Sequence, residues 1–145
     1  MIRVVLDTNV FISAILTPHG PPAKILELAL EGRFSIIISP AIIREIGLVF
    51  QYPRLKKAME KHRLTPEEVE EAIFKILKVA IITAGGKIIQ GVSRDPADDL
   101  ILSCAAEGQA DFVISGDKDL TELGSFEGIR IREPAAFLRL MEAQI

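Results

Sequence analysis

Short, almost uninterrupted apolar runs alternate with longer amphipathic ones along this chain. Residues 2–6 (Ile-Arg-Val-Val-Leu), Phe34 to Ile38, Val79 to Ile82 and Asp111 to Ser115 read as strands, and Ile129 to Ile131 as a short fifth. Runs so apolar suit strands covered on both faces. Helical patterns lie between them. Pro21 or Pro22 opens a helix that continues to Leu30 and stops near Gly32. Ser39-Pro40 pairs an N-cap with a first-turn proline, and Ile42, Ile43, Ile46, Val49 and Phe50 follow at three-and-four spacing. Thr65-Pro66-Glu67-Glu68 is a capping box ahead of Val69, Ile73, Ile76 and Leu77. Asp95-Pro96 caps a helix leading into Leu100 to Glu107, and a last helix runs from about Pro134 to Met141. Strands alternating with helices imply an α/β sandwich with a mainly parallel sheet of about five strands.

Composition adds mainly exclusions. With 145 residues, the chain is expected to form one domain, spanning 1–145. An apolar content of 49% is too high for a disordered chain. Twenty acidic against 17 basic residues give a net charge of -3, so bulk positive charge cannot coat nucleic acid or membrane. Any nucleic-acid site must be local. A single cysteine, Cys104, excludes a disulfide framework and a multi-cysteine zinc site, and it reads as a core residue. The apolar run before Asp7 is too short for a signal peptide, and no stretch suits a membrane span. A reducing cytoplasm fits this usage. The basic run Arg54, Lys56, Lys57, Lys61 and Arg63 and the following Glu67, Glu68, Glu70 and Glu71 read as solvated helix faces.

In a parallel sheet, ligands gather at the carboxyl ends of the strands. Asp7-Thr8-Asn9 follows the first strand, and Ser115-Gly116-Asp117-Lys118-Asp119 follows the fourth. Asp7 alone could simply cap a helix near Val10, but Asn9 beside it is the only asparagine in the chain. Glu45 borders the apolar face of its helix, where a surface role and a site role are equally open. Asp95 and Asp98 fit the cap and third position of one helix start, which leaves Asp99 without a structural task. Carboxylates gathered without Cys or His favour a hard cation, Mg²⁺ or Mn²⁺, over zinc.

Four segments together carry a resemblance: V-V-L-D-T-N-V-F-I-S-A from Val4, R-E-I at Arg44, R-D-P-A-D-D-L-I-L from Arg94 and V-I-S-G-D-K-D-L from Val113. In order and spacing the chain resembles the PIN-domain family over nearly its whole length, most of all the VapC-like toxin components of toxin–antitoxin pairs. The resemblance implies a three-layer α/β/α sandwich and a metal-dependent endoribonuclease. Its acidic quartet would fall on Asp7, Glu45, Asp99 and Asp117, with Asp98 competing for the third position. Metal would lie among Asp7, Asp98, Asp99 and Asp117. Thr8, Asn9, Ser115 and Asp119 would support them, and Lys118, Arg44, Arg94 and Lys24 are candidates to position RNA phosphates. The implied reaction is hydrolysis of an RNA phosphodiester with Mg²⁺ or Mn²⁺, leaving a 5′-phosphate and a 3′-hydroxyl. A homodimer and a cognate antitoxin are the implied partners, with no membrane. RNA processing outside a toxin pair and a non-catalytic binding module stay open beside it. So does a phosphotransfer domain with Asp7 as nucleophile, although Asn9 stands where such a site wants a second acid.

Overall fold

The computed structural model describes residues 1–143; the last two residues of the expected 1–145 span lie outside the described residues. Six strands form one sheet in the order β3-β2-β1-β4-β6-β5. They are β1 (Arg3–Leu6), β2 (Ser35–Ile38), β3 (Ile81–Ile82), β4 (Phe112–Ile114), β5 (Ser125–Phe126) and β6 (Ile129–Arg132). All neighbours are parallel except β5 and β6. The sheet therefore has one strand more than expected. Ser125 and Phe126 form a two-residue antiparallel edge against β6, too short to leave a periodic pattern.

Among the described residues eight helices surround the sheet: α1 (Thr8–Leu16), α2 (Pro21–Leu30), α3 (Pro40–Val49), α4 (Pro53–Lys61), α5 (Pro66–Val79), α6 (Pro96–Glu107), α7 (Lys118–Thr121) and α8 (Pro134–Glu142). This is the expected α/β/α sandwich. Proline opens α2 to α6 and α8 at their first turn, where its missing N–H costs nothing. Thr65 and Glu68 complete the capping box of α5 through reciprocal hydrogen bonds of 3.1 Å. Val79 closes α5 rather than opening β3, so the third strand is shorter than its apolar run suggests. The charged faces of α4 and α5 are solvated, as expected: Lys56, Lys57, Glu67 and Glu71 are exposed while Leu55, Met59, Val69 and Ile76 turn inward.

The central strands are covered on both faces: Val4, Val5, Ile37, Val113 and Ile114 are fully buried. α1, α2 and α8 pack together, and α6 lies against β1, β2 and β4. Phe137 of α8 meets Phe34 and Phe112 edge-on, with ring centroids 5.4 and 5.2 Å away. Gly108, the C-cap of α6, is required by a close approach. A Cβ there would run into the Ile37 side chain of β2. Among the described residues no helix is long and apolar enough to cross a membrane.

The order of the strands locates the cleft. Chain direction carries β1 to β2 and β3 on one side, and α6 then returns it to β4 on the other side of β1. Such a reversal opens a crevice at the carboxyl ends of the two flanking strands.

Candidate metal centre

Asp7 and Asp117 stand at that crevice. Asp7 follows β1 directly, and its backbone N–H donates to the Ile114 carbonyl at the end of β4, 2.9 Å away. Asp7 occupies the N-cap position of α1, yet its side chain makes no capping hydrogen bond. It accepts instead from the Ser115 hydroxyl at 2.6 Å, and the same hydroxyl oxygen accepts the Asp117 N–H at 3.0 Å. Ser115 is fully buried and so locks the two acids together. Asp117 caps the short α7 by accepting the Asp119 N–H at 2.9 Å. Asp119 thus supports the site through its backbone, while its side chain is exposed.

The third group comes from the start of α6. Asp95 is the N-cap, accepting the Ala97 N–H at 2.9 Å. Asp95, Asp98 and Asp117 each offer a carboxylate oxygen, and these oxygens all lie within 4.8 Å of one another. Asp98 is not a capping-box acceptor. It is buried and accepts the Ser93 hydroxyl at 3.0 Å. Asp99 has the structural task that its position alone does not reveal. Its two oxygens accept the N–H groups of Gly91 and Ser93, at 3.0 and 2.9 Å. Geometry therefore brings Asp95 and Asp98 to the Asp117 carboxylate that follows β4, while Asp99 turns to the segment before α6. The i, i+3 spacing of Asp95 and Asp98 was the available signal for Asp95, since such residues share a helix face.

Asp99 is one step of a longer arrangement. Residues 85–93 form an irregular strap without sheet partners, turning at Gly85 and Gly91, which have positive φ, and held to one face of α6. The Gly85 and Lys87 amides donate to Glu107 at 2.8 and 2.6 Å. The Ile89 amide donates to Ser103 at 2.9 Å, and Gly91 and Ser93 donate to Asp99. Acceptors at 99, 103 and 107 recur every four residues, a rise of about 6 Å on a helix. Five strap amides share these three side chains, because Glu107 and Asp99 each accept two. The strap therefore runs antiparallel to α6 and delivers Ser93 to Asp98.

Burial raises the Asp98 carboxyl to about 7, with the Asp117 charge adding to the effect and the Ser93 hydroxyl opposing it. Burial also raises Asp7; the Ser115 hydrogen bond opposes this, and the Asp117 charge adds to it. Glu45 on α3 is raised by burial and then by the Asp7 and Asp95 charges, so it lies within their electrostatic reach. Asp7, Asp95, Asp98 and Asp117 carry the negative charge of the crevice. Among the described residues none of them takes part in an ion pair. Thr8, next to Asp7, is buried with a hydroxyl that has no hydrogen-bond partner. All-oxygen donors, uncompensated negative charge and an orphaned hydroxyl fit a hard divalent cation among Asp95, Asp98 and Asp117, with Asp7 linked to Asp117 through Ser115.

The remaining candidates sit at the rim or away from it. Asn9 is exposed in the first turn of α1. Arg44, Arg94 and Lys118 are exposed and immediately precede or follow Glu45, Asp95 and Asp117 in sequence. Lys24 lies on α2 and pairs with Glu27 at 3.7 Å, so the structure gives it a local partner. Cys104 is buried in α6, and burial pushes its thiol up to about 12, the state of an inert core residue.

A family model described as PIN domain matches residues 3–119. The uncharacterized protein MJ1680 of Methanocaldococcus jannaschii is 39% identical over 126 residues, covering 84% of this chain and 75% of that protein. In three dimensions the chain resembles a structure of VapBC2 from Rickettsia felis, solved bound to a DNA fragment from their promoter. That likeness has a TM-score of 0.55 at 16% identity and covers 91% of this chain and 98% of the other.

Proposed function

The chain belongs to the PIN domain family, and on that premise we propose that it is a metal-dependent endoribonuclease formed by a single domain. The observation that carries this reading is the gathering of Asp95, Asp98 and Asp117 at the sheet crevice, with Asp7 joined to Asp117 through Ser115 and none of the four in an ion pair among the described residues. A divalent cation, Mg²⁺ or Mn²⁺, would supply Lewis acidity toward a phosphoryl oxygen and toward water.

The protein's own groups divide the remaining work. Asp7 and Asp117 are pre-set by Ser115, so they need little reorganisation to accept a cation. Asp98 keeps a proton near neutrality in the metal-free state and gives it up when the site is filled. Glu45, half-buried within electrostatic reach of Asp7 and Asp95, has the raised affinity for a proton that suits a group orienting the attacking water. Arg44, Arg94 and Lys118 at the rim are placed to meet RNA phosphates, which position a chain without reading its sequence. The expected products carry a 5′-phosphate and a 3′-hydroxyl.

The likeness to VapBC2 supports the further reading of a toxin with a cognate antitoxin; a homodimer acting in the cytoplasm completes the proposal. The deciding experiment is cleavage of a mixed-sequence single-stranded RNA with Mn²⁺ or Mg²⁺, then with EDTA, beside Asp7→Asn. Metal-dependent cutting that the variant loses supports the nuclease. Calorimetric Mn²⁺ titration without any heat from the native site would sink it. Cutting that a co-expressed neighbouring protein does not inhibit would favour RNA processing over a toxin role.

A further inference from the structure

One serine links the two adjacent aspartates at the start of α6. The Ser93 hydroxyl donates to one oxygen of Asp98 at 3.0 Å, and the Ser93 amide donates to Asp99 at 2.9 Å. The second Asp99 oxygen accepts the Gly91 amide at 3.0 Å. The Asp99 carboxylate thus clamps alternate amides at the end of the strap. Gly91 makes the turn between them with a φ of 74°, a left-handed conformation that glycine adopts without strain.

Asp98 depends on that clamp for its orientation. The terminal torsion of an aspartate is broad, so a carboxylate without a donor is free to turn its plane. The other groups gathered at Asp98 are Asp95 and Asp117, carboxylates themselves. Among the described residues the Ser93 hydroxyl is the side chain that donates to it. The arrangement repeats what Ser115 does across the crevice. There one hydroxyl holds Asp7 and is itself tied to the backbone, through the Asp117 amide. Here one hydroxyl holds Asp98 and is tied, through its own amide, to Asp99.

Resting on the metal-dependent reading above, we propose that Ser93 is a positioning residue of the metal centre. Its hydroxyl sets the Asp98 carboxylate for the cation, and Asp99 acts on the cation through the strap instead of binding it. The coupling is reciprocal by thermodynamic linkage. If a closed strap end raises cation affinity, a bound cation holds the strap end closed by the same factor. An empty centre leaves Gly91 and Ser93 freer to open.

The test is calorimetric Mn²⁺ titration of the full chain as wild type, Ser93→Ala, Ser93→Thr and Gly91→Ala, with melting curves verifying that each folds. Ser93→Ala is expected to lose about 10–100-fold in affinity, the usual cost of removing a group that orients a ligand. Ser93→Thr keeps the hydroxyl and should restore most of that loss. Gly91→Ala alters no acid, yet a side chain at this φ strains the turn, so affinity should fall in the same direction. Hydrogen exchange gives a second readout. In wild type, saturating Mg²⁺ should slow the Gly91 and Ser93 amides more than those of Gly85 and Lys87 at the far end. A serine that only holds the loop predicts a lower melting point for Ser93→Ala with Mn²⁺ affinity unchanged. That result would overturn the inference and leave the nuclease reading standing. Equal losses in Ser93→Thr and Ser93→Ala would also overturn it, as would Gly91 and Ser93 exchange unaltered by Mg²⁺, whichever variants fold. Wild type that takes up no Mn²⁺ would remove this inference and the nuclease reading together.

Discussion

The Ser115 hydroxyl donates to the Asp7 carboxylate across 108 positions of chain, at 2.6 Å and fully buried. It joins the ends of β1 and β4 and, by also accepting the Asp117 amide, holds both acids in one orientation. Ser115→Ala is expected to weaken Mn²⁺ affinity roughly 10–100-fold, as loss of a ligand-orienting partner does elsewhere. Calorimetry on folded protein measures it; an affinity unchanged within twofold would show that Ser115 serves packing alone.

Asp98 and Asp99 are adjacent and chemically identical, but they face different tasks. At a pH above the Asp98 titration at about 7, Asp98→Asn removes one charge from a crowded group, so the metal-free protein should melt a few degrees higher there, at about 2–4 °C per kcal/mol for a chain of this size. The stabilisation by Mn²⁺ should be largely lost. Asp99→Asn should do the reverse: a lower melting point through the released strap, with a substantial Mn²⁺ response retained. Thermal melts with and without Mn²⁺ decide between them, and a reversed pattern would return the third acid to Asp99.

This pair also shows what the sequence could reveal. The apolar runs and the proline-led helix starts carried the sandwich and five of six strands, because burial on both faces leaves a strong pattern. β5 left none, since Ser125 and Phe126 are too few to alternate. The clustering of acids at two strand ends was equally legible in Asp7 and Asp117. Asp95, Asp98 and Asp99 fall within one helical turn; spacing pairs Asp95 with Asp98 on one face but does not say whether that face or Asp99 turns to the crevice. What ranks them is the strap, and its hydrogen bonds go to side chains on α6 rather than to a backbone ladder.

The metal-free protein should lose stability as pH rises. The Asp98 carboxyl titrates near 3.8 when unfolded and at about 7 when folded, so the unfolded chain releases its proton first. Stability is therefore fully present below about pH 4, falls through the window up to about 7 and levels off above it. The raised carboxyls of Asp7 and Glu45 act in the same direction. Melting curves in chelated buffer at pH 5 and 7.5 test this; with saturating Mn²⁺ the trend should reverse, because the cation binds the deprotonated group.

Gly108→Ala should destabilise the fold without touching the acids. The new methyl group would collide with Ile37 in the central sheet, an overpacking that costs about 1–3 kcal/mol. A chain of this size should then melt roughly 2–12 °C lower, with Mn²⁺ affinity unchanged. An unaltered melting point would mean that the end of α6 shifts freely.

Hydrogen exchange should resolve the strap residue by residue. Amides of Gly85, Lys87, Ile89, Gly91 and Ser93 are bonded and should exchange slowly. The intervening amides of Gly86, Ile88, Gln90 and Val92 should exchange fast. Glu107→Ala should release Gly85 and Lys87 alone, whereas faster exchange along the whole strap would reveal a single cooperative unit.

The strap also constrains how this segment can change in length. Both of its ends are tied to α6, Gly85 to Glu107 and Ser93 to Asp99, and each of these carboxylates takes two amides. Removing a residue between the ends would pull at least one amide off its acceptor. Removing one next to Ser93 would also draw the Ser93 hydroxyl away from Asp98, so an edit outside the acids would disturb them. Deletions between Gly85 and Ser93 should therefore be selected against, most strongly toward Ser93.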